Sequence, residues 1–149
     1  MAFLRKWWPG LLIVGWVIFI AAVSYADVYG GDSIALGAGH AAGAPTLARV
    51  GAGSCEIARR VPHGLWGTVI VSAGANDQGR CVAQVRRNVG AVAHVIWIVP
   101  PPKYTLARAA IYATGARYGD KFVTYVPGRD GLHPRSYSEL VRTIKAAEE

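Results

Sequence analysis

The chain has 149 residues, 52% of them hydrophobic, enough for one domain around one core and too few for two. Its 16 Lys and Arg outnumber 9 Asp and Glu, giving a formal charge of +7. The basic residues are scattered in runs no longer than two and match no nucleic-acid-binding module, which argues against a nucleic-acid partner and leaves a basic surface suited to anionic envelope polymers.

Residues 1–26 differ in kind from the rest. Arg5-Lys6 precede an apolar run over residues 7–23, and Ser24-Tyr25-Ala26 puts small residues at the positions a signal peptidase reads. This is the pattern of a secretory signal peptide. The alternative is an uncleaved anchor, because about 17 apolar residues is near the lower limit for spanning a bilayer. Either reading exports a domain over residues 27–149, to the periplasm or the medium, and the anchor reading adds membrane association through residues 1–26.

A short apolar strand is expected over residues 27–29, ending at Gly30-Gly31-Asp32-Ser33. Residues 36–45 read as a short helix and loop. Their glycines Gly37, Gly39 and Gly43 nearly imitate a dinucleotide fingerprint, but the third comes one residue late and no strand directly precedes them. Residues 46–50 form a second strand, and Gly51-Ala52-Gly53-Ser54 leads into a short helix with Ile57 and Val61 inward, Arg59 and Arg60 outward, ending before Pro62.

The β-branched run over residues 68–73 is the pattern of a central parallel strand buried on both faces. It delivers Gly74-Ala75-Asn76-Asp77, followed by a helix over 79–91 with Val82, Val85 and Val89 on one face and Arg80, Arg86 and Arg87 on the other. A strand over 92–99 stops at Pro100-Pro101-Pro102. An alanine-rich helix over 104–118 packs through Leu106, Ala109, Ala110 and Ala113, and a fifth strand covers 121–126. The segment Asp130-Gly131-Leu132-His133-Pro134 enters a last helix with Tyr137, Leu140, Val141 and Ile144 on its apolar stripe. Strands and helices alternating in this way predict an α/β fold with a five-stranded parallel sheet between helices, flavodoxin-like in strand order.

Three of these stretches carry chemistry. Gly-Asp-Ser at residues 31–33, Gly-x-Asn-Asp at 74–77 and Asp-x-x-His at 130–133 resemble, in order and spacing, the motifs of the SGNH/GDSL hydrolase family. The resemblance covers nearly everything after residue 26 and implies the three-layer fold of that family. A proline-rich exit from the fourth strand also looks like the family. It further implies a serine esterase with Ser33 as nucleophile, His133 as general base and Asp130 orienting the imidazole. The N–H of Ser33, the N–H of Gly53 and the side-chain amide of Asn76 would form the oxyanion hole, with Gly51 as the fallback for Gly53. Asp32 and Asp77 then serve structural roles, accepting backbone N–H bonds that shape the two loops. His40, His63 and His94 lack such context and read as surface or packing residues.

The family fold would bring Cys55 and Cys81 near the rim of that site. In an oxidising compartment a lone pair of cysteines is more often bonded than free, and this pair would contribute on the order of 3 kcal/mol; two buried thiols remain the alternative. A metal is the rival use of Asp-x-x-His, but no third ligand stands at telling spacing, and no cofactor is expected. Short connections and no lid imply a shallow site for short acyl or O-acetyl groups on envelope glycans. The same triad could serve a lysophospholipase, thioesterase or acyltransferase, and an idle crevice could bind carbohydrate. Nothing in the sequence sets the oligomeric state.

Overall fold

The structure is a computed structural model that describes residues 27–65, 67–91 and 93–149. The expectation of a signal peptide or anchor over residues 1–26 lies outside the described residues, as does the first residue of the strand expected over 92–99. Among the described residues no helix is long and apolar enough to cross a membrane.

Five parallel strands, β1 (Val28–Gly31), β2 (Thr46–Ala48), β3 (Thr68–Ser72), β4 (His94–Ile98) and β5 (Lys121–Val123), form one sheet in the order β2-β1-β3-β4-β5. That order is the flavodoxin-like one, with the connection reversing direction between β1 and β3. The intervening helices are α1 (Ser33–Ala42), α2 (Ser54–Arg60), α3 (Val82–Val89), α4 (Thr105–Tyr118) and α5 (Tyr137–Glu148).

The run in β3 makes the sheet two-faced. Val69 and Val71 point into a core shared with Ile57, Val82, Val85 and Ile111 of α2, α3 and α4. Ile70 points the other way, to Ile34, Leu140 and Ile144 of α1 and α5. Successive strand side chains alternate faces, so each inward residue of β3 covers a helix on its own side. Burying each such Val or Ile contributes roughly 1.5–3 kcal/mol against leaving it exposed.

Several boundaries differ from the sequence expectation. β1 continues to Gly31 because Gly30 and Gly31 pair with Val71 and Ser72, so parallel pairing overrides the low strand preference of glycine. α1 starts at Ser33 rather than Leu36 and takes in the glycine-rich stretch, with Gly43 as its left-handed C-cap. β2 stops at Ala48: Arg49 N–H still bonds Gly31 O, and the chain then turns, with Ala52 N–H closing onto Arg49 O. α3 is shorter than the expected 79–91, because residues 74–81 form turns and Gly90 ends the helix. β5 stops at Val123, since the Tyr125 hydroxyl and Val126 carbonyl bond the later His133 segment instead.

Two helix faces also differ. In α4 the buried residues are Ala107, Ile111, Thr114 and Gly115, while Leu106 is 60% exposed. Alanine on every side makes the apolar stripe indistinct, and the helix settles where Gly115 lets Phe122 and Trp97 approach. In α3 Arg86 points inward, contrary to its expected outward position. It completes the stripe of Val82, Val85 and Val89, and its side chain is 2% exposed.

Arg86 is held by a matching acceptor. Its Nε lies 2.8 Å from Asp120 Oδ2, its Nη1 donates to Gly90 O, and its guanidinium stacks 4.3 Å over the Tyr118 ring. The indole N–H of Trp97 donates to the same Asp120 oxygen at 2.9 Å. Removing one member strands a buried charge, so Arg86→Ala should lower unfolding free energy in urea by about 3–5 kcal/mol, whereas Arg86→Met with Asp120→Leu should recover most of the loss. Equal losses for the two proteins would contradict the pairing argument.

Candidate active site

At Gly31 the backbone has φ +138°, and a Cβ there would run into the carbonyl of Ser72 on β3. Only glycine fits so close to the neighbouring strand. The chain turns at once: Asp32 N–H donates to Ser72 O, Asp32 caps α1 by accepting the Ile34 N–H at 3.0 Å, and Ser33 becomes the first helical residue. The hydroxyl of Ser33 therefore sits at the carboxyl edge of the sheet, beside the reversal point where open α/β sheets bind ligands.

The segment after β5 returns to the same edge. Pro127 and Pro134 form an antiparallel bridge, and the N–H groups of Gly128 and Arg135 donate to His133 O and Val126 O. Within this loop Asp130 acts twice. Its Oδ1 accepts the N–H groups of Leu132 and His133 at 2.9 and 3.0 Å, fixing the turn, and its Oδ2 lies 2.5 Å from His133 Nδ1. The other ring nitrogen, Nε2, lies 2.9 Å from Ser33 Oγ. With Asp130 on Nδ1, the consistent neutral tautomer carries its proton there and leaves Nε2 to accept from the serine hydroxyl.

The His133 hydrogen bond, then those from the amides, hold the Asp130 carboxyl low, at about 2. It therefore stays ionised across the neutral range, which its 52% exposure to water also favours.

Loops from β2 and β3 flank the serine. Asn76 Nδ2 donates to Ala52 O at 3.0 Å, which uses one of its two amide hydrogens. Among the described residues the N–H groups of Ser33 and Gly53 have no acceptor. Gly53 is needed for space, since a Cβ would lie 2.8 Å from Asp77 Oδ2. Gly51, with φ +73°, makes a turn in open space.

Asp77 locks these two loops together. Its Oδ2 accepts the Ser54 hydroxyl and the Cys55 N–H, and its Oδ1 accepts the Gly79 N–H. Burial works to raise this carboxyl, but its donors, led by Ser54, outweigh burial and hold it below its usual value. Ser54 Oγ in turn accepts the Cys81 N–H at 2.8 Å, and Cys55 and Cys81 form a disulfide with their Cα atoms 4.8 Å apart. The expected bond is thus present and ties the start of α2 to the turn before α3.

His40, His63 and His94 are exposed and stand apart from this cluster. Among the described residues no group of three or more His, Cys, Asp or Glu is placed to hold a metal ion. No family model, curated protein or solved structure matches the chain.

What the sequence did not indicate is the state of Asp32. The residue is 1% exposed, its Oδ2 has no hydrogen-bond partner, and burial pushes the carboxyl up to about 6, against the opposing effect of the Ser72 hydroxyl and the Ile34 amide. A carboxyl raised on folding carries no cost below pH 4, where both states are protonated, and its full cost above pH 6, where both are ionised. Its contribution should fall by on the order of 2 kcal/mol as pH rises from about 4 to about 7. Denaturant melts of Asp32→Asn beside the parent protein should show that the variant lacks this fall. Parallel pH profiles for the two proteins would contradict it.

Proposed function

We propose that the chain is a serine esterase of SGNH/GDSL type, exported, acting on short acyl or O-acetyl groups. The observation that carries this reading is the continuous line from Asp130 Oδ2 through His133 to Ser33 Oγ, with spacings of 2.5 and 2.9 Å. A serine hydroxyl is a weak nucleophile on its own, and an imidazole in contact with it, oriented by a carboxylate, is the arrangement that activates one.

In the proposed reaction Ser33 Oγ attacks the ester carbonyl while His133 Nε2 takes the hydroxyl proton. The tetrahedral oxyanion is met by the N–H groups of Ser33 and Gly53 and the uncommitted amide hydrogen of Asn76. The carbon–oxygen bond to the alcohol breaks, and His133 returns the proton to the departing oxygen. Water then attacks the acyl-serine, giving its proton to His133. Cleavage of the Ser33–acyl bond returns that proton to Ser33 and releases the acid. Asp130 stabilises the imidazolium at each proton transfer. The five parallel strands between two helical layers fit the three-layer fold that the family resemblance implies.

The site favours small acyl groups. An open depression of about 820 Å³ adjoins Asp130 and His133. A long acyl chain would find little apolar wall to cover it. The disulfide between Cys55 and Cys81 fits an oxidising compartment and so agrees with export.

Hydrolysis of p-nitrophenyl acetate, butyrate and octanoate by the oxidised domain should be fastest on the short esters. Ser33→Ala and His133→Ala should each reduce kcat/KM by about 10⁴-fold, and Asn76→Ala by about 10²-fold. Equal turnover by Ser33→Ala would overturn the nucleophile assignment. Rates rising with chain length would transfer the reading to a lipase or thioesterase.

A further inference from the structure

The depression beside His133 has a charge pattern that the ester chemistry alone does not require. It is lined by Arg129, Asp130, His133, Pro134 and Arg135, so two arginines border the same open space as the imidazole. A third cation, from the segment before α4, lies beside the same loop but lines a separate hollow with Gln78 and Tyr104: a Cβ placed on Gly131 would lie 2.9 Å from Lys103 Nζ, and this ammonium lies 5.1 Å from the Tyr104 ring centre.

Among the described residues these three cations have no anionic partner. The ion pairs among the described residues are Arg49 and Arg60 with Glu56, Arg86 with Asp120, and His133 with Asp130. Asp130, the only acid in the depression, already uses both oxygens on two amides and the imidazole. Arg87 and Arg108 have neutral acceptors in Gln84 and Pro100 O, but the side chains of Arg129, Arg135 and Lys103 have none among the described residues. Like charges gathered at one loop repel one another and are relieved by a bound anion. The planar fork of arginine matches carboxylate and phosphate oxygens in pairs.

We propose that the scissile ester is carried on an anionic polysaccharide, whose carboxylate or phosphate groups Arg129 and Arg135 hold in the depression beside His133, with Lys103 adding its charge at the same loop. This rests on the esterase reading for its chemistry, whereas the charge recognition is measured separately, by binding. The backbone of such a polymer lies across the open depression and presents one acylated sugar to Ser33. A neutral acylated glycan meets the same nucleophile without these contacts.

The test uses the Ser33→Ala protein, which keeps the ester intact, and calorimetric titration with three chemically O-acetylated polymers: polygalacturonate, phosphomannan and neutral dextran. Both anionic polymers, or the one whose anion fits, should bind about tenfold or more tightly than dextran, and the advantage should collapse near 0.5 M salt, where screening acts within about 4 Å. Adding Arg129→Gln and Arg135→Gln should weaken the anionic polymer about tenfold, while the distant pair Arg117→Gln and Arg142→Gln should change it less than about twofold. The ranking of polygalacturonate against phosphomannan separates carboxylate from phosphate. Dextran binding as tightly as both, or equal losses from the distant pair, would overturn the proposal. Anion-selective binding without Ser33-dependent turnover in the parent protein would overturn the esterase reading alone.

Discussion

The carboxyl edge of the sheet depends on one close approach, that of Gly31 to the carbonyl of Ser72. Because no side chain intervenes, β1 and β3 stay in register to the last residue and the backbone can swing through φ +138° into a helix. The Asp32 N–H takes the Ser72 carbonyl, the Asp32 carboxylate caps the helix, and Ser33 begins that helix at the edge of the sheet. A non-glycine residue held at such a backbone angle costs on the order of 1–3 kcal/mol before any clash is counted. The turn is thus a fixed mount, and the imidazole of His133 is brought to it from a loop a hundred residues later in the chain.

Two carboxylates give the surrounding loops their shape by serving two masters each. Asp130 fixes its own turn through one oxygen and aligns the imidazole through the other, so the geometry of the His133 ring and the fold of its loop are one hydrogen-bond system. Asp77 does the same for the other half of the site, joining the start of α2 to the loop after β3, with the disulfide closing the same junction covalently. A third carboxylate, Asp32, is buried with one oxygen unpartnered directly behind the serine. It costs stability at neutral pH.

Much of this was legible in the sequence because its signals were local. The run of β-branched residues in β3 admits few alternatives, and the three motif stretches all lie beyond the carboxyl ends of strands. Cys55 and Cys81 were the only two cysteines, so one pairing was available. The misses came where local preference and tertiary contact disagree. Gly30 and Gly31 read as a turn, yet pairing with Val71 and Ser72 makes them strand. Arg86 stands at the fourth position after Val82 and the third before Val89, which places it on the buried stripe. Its charge argued against burial, and the partner that allows it, Asp120, lies on another element far along the chain. In α4 small residues on all sides left no stripe to read, and the face was decided by Phe122 and Trp97.

The central claim is that Ser33 is an activated nucleophile, and reaction with a fluorophosphonate tests it without any assumption about the natural ester. Only a serine oxygen assisted by a base displaces the fluoride, forming a stable phosphonyl-serine. Mass spectrometry of the oxidised protein should find one adduct, on the peptide containing Ser33, in the parent chain and none in His133→Ala. A folded parent protein that takes up no phosphonyl group, or takes it up elsewhere, would contradict the account.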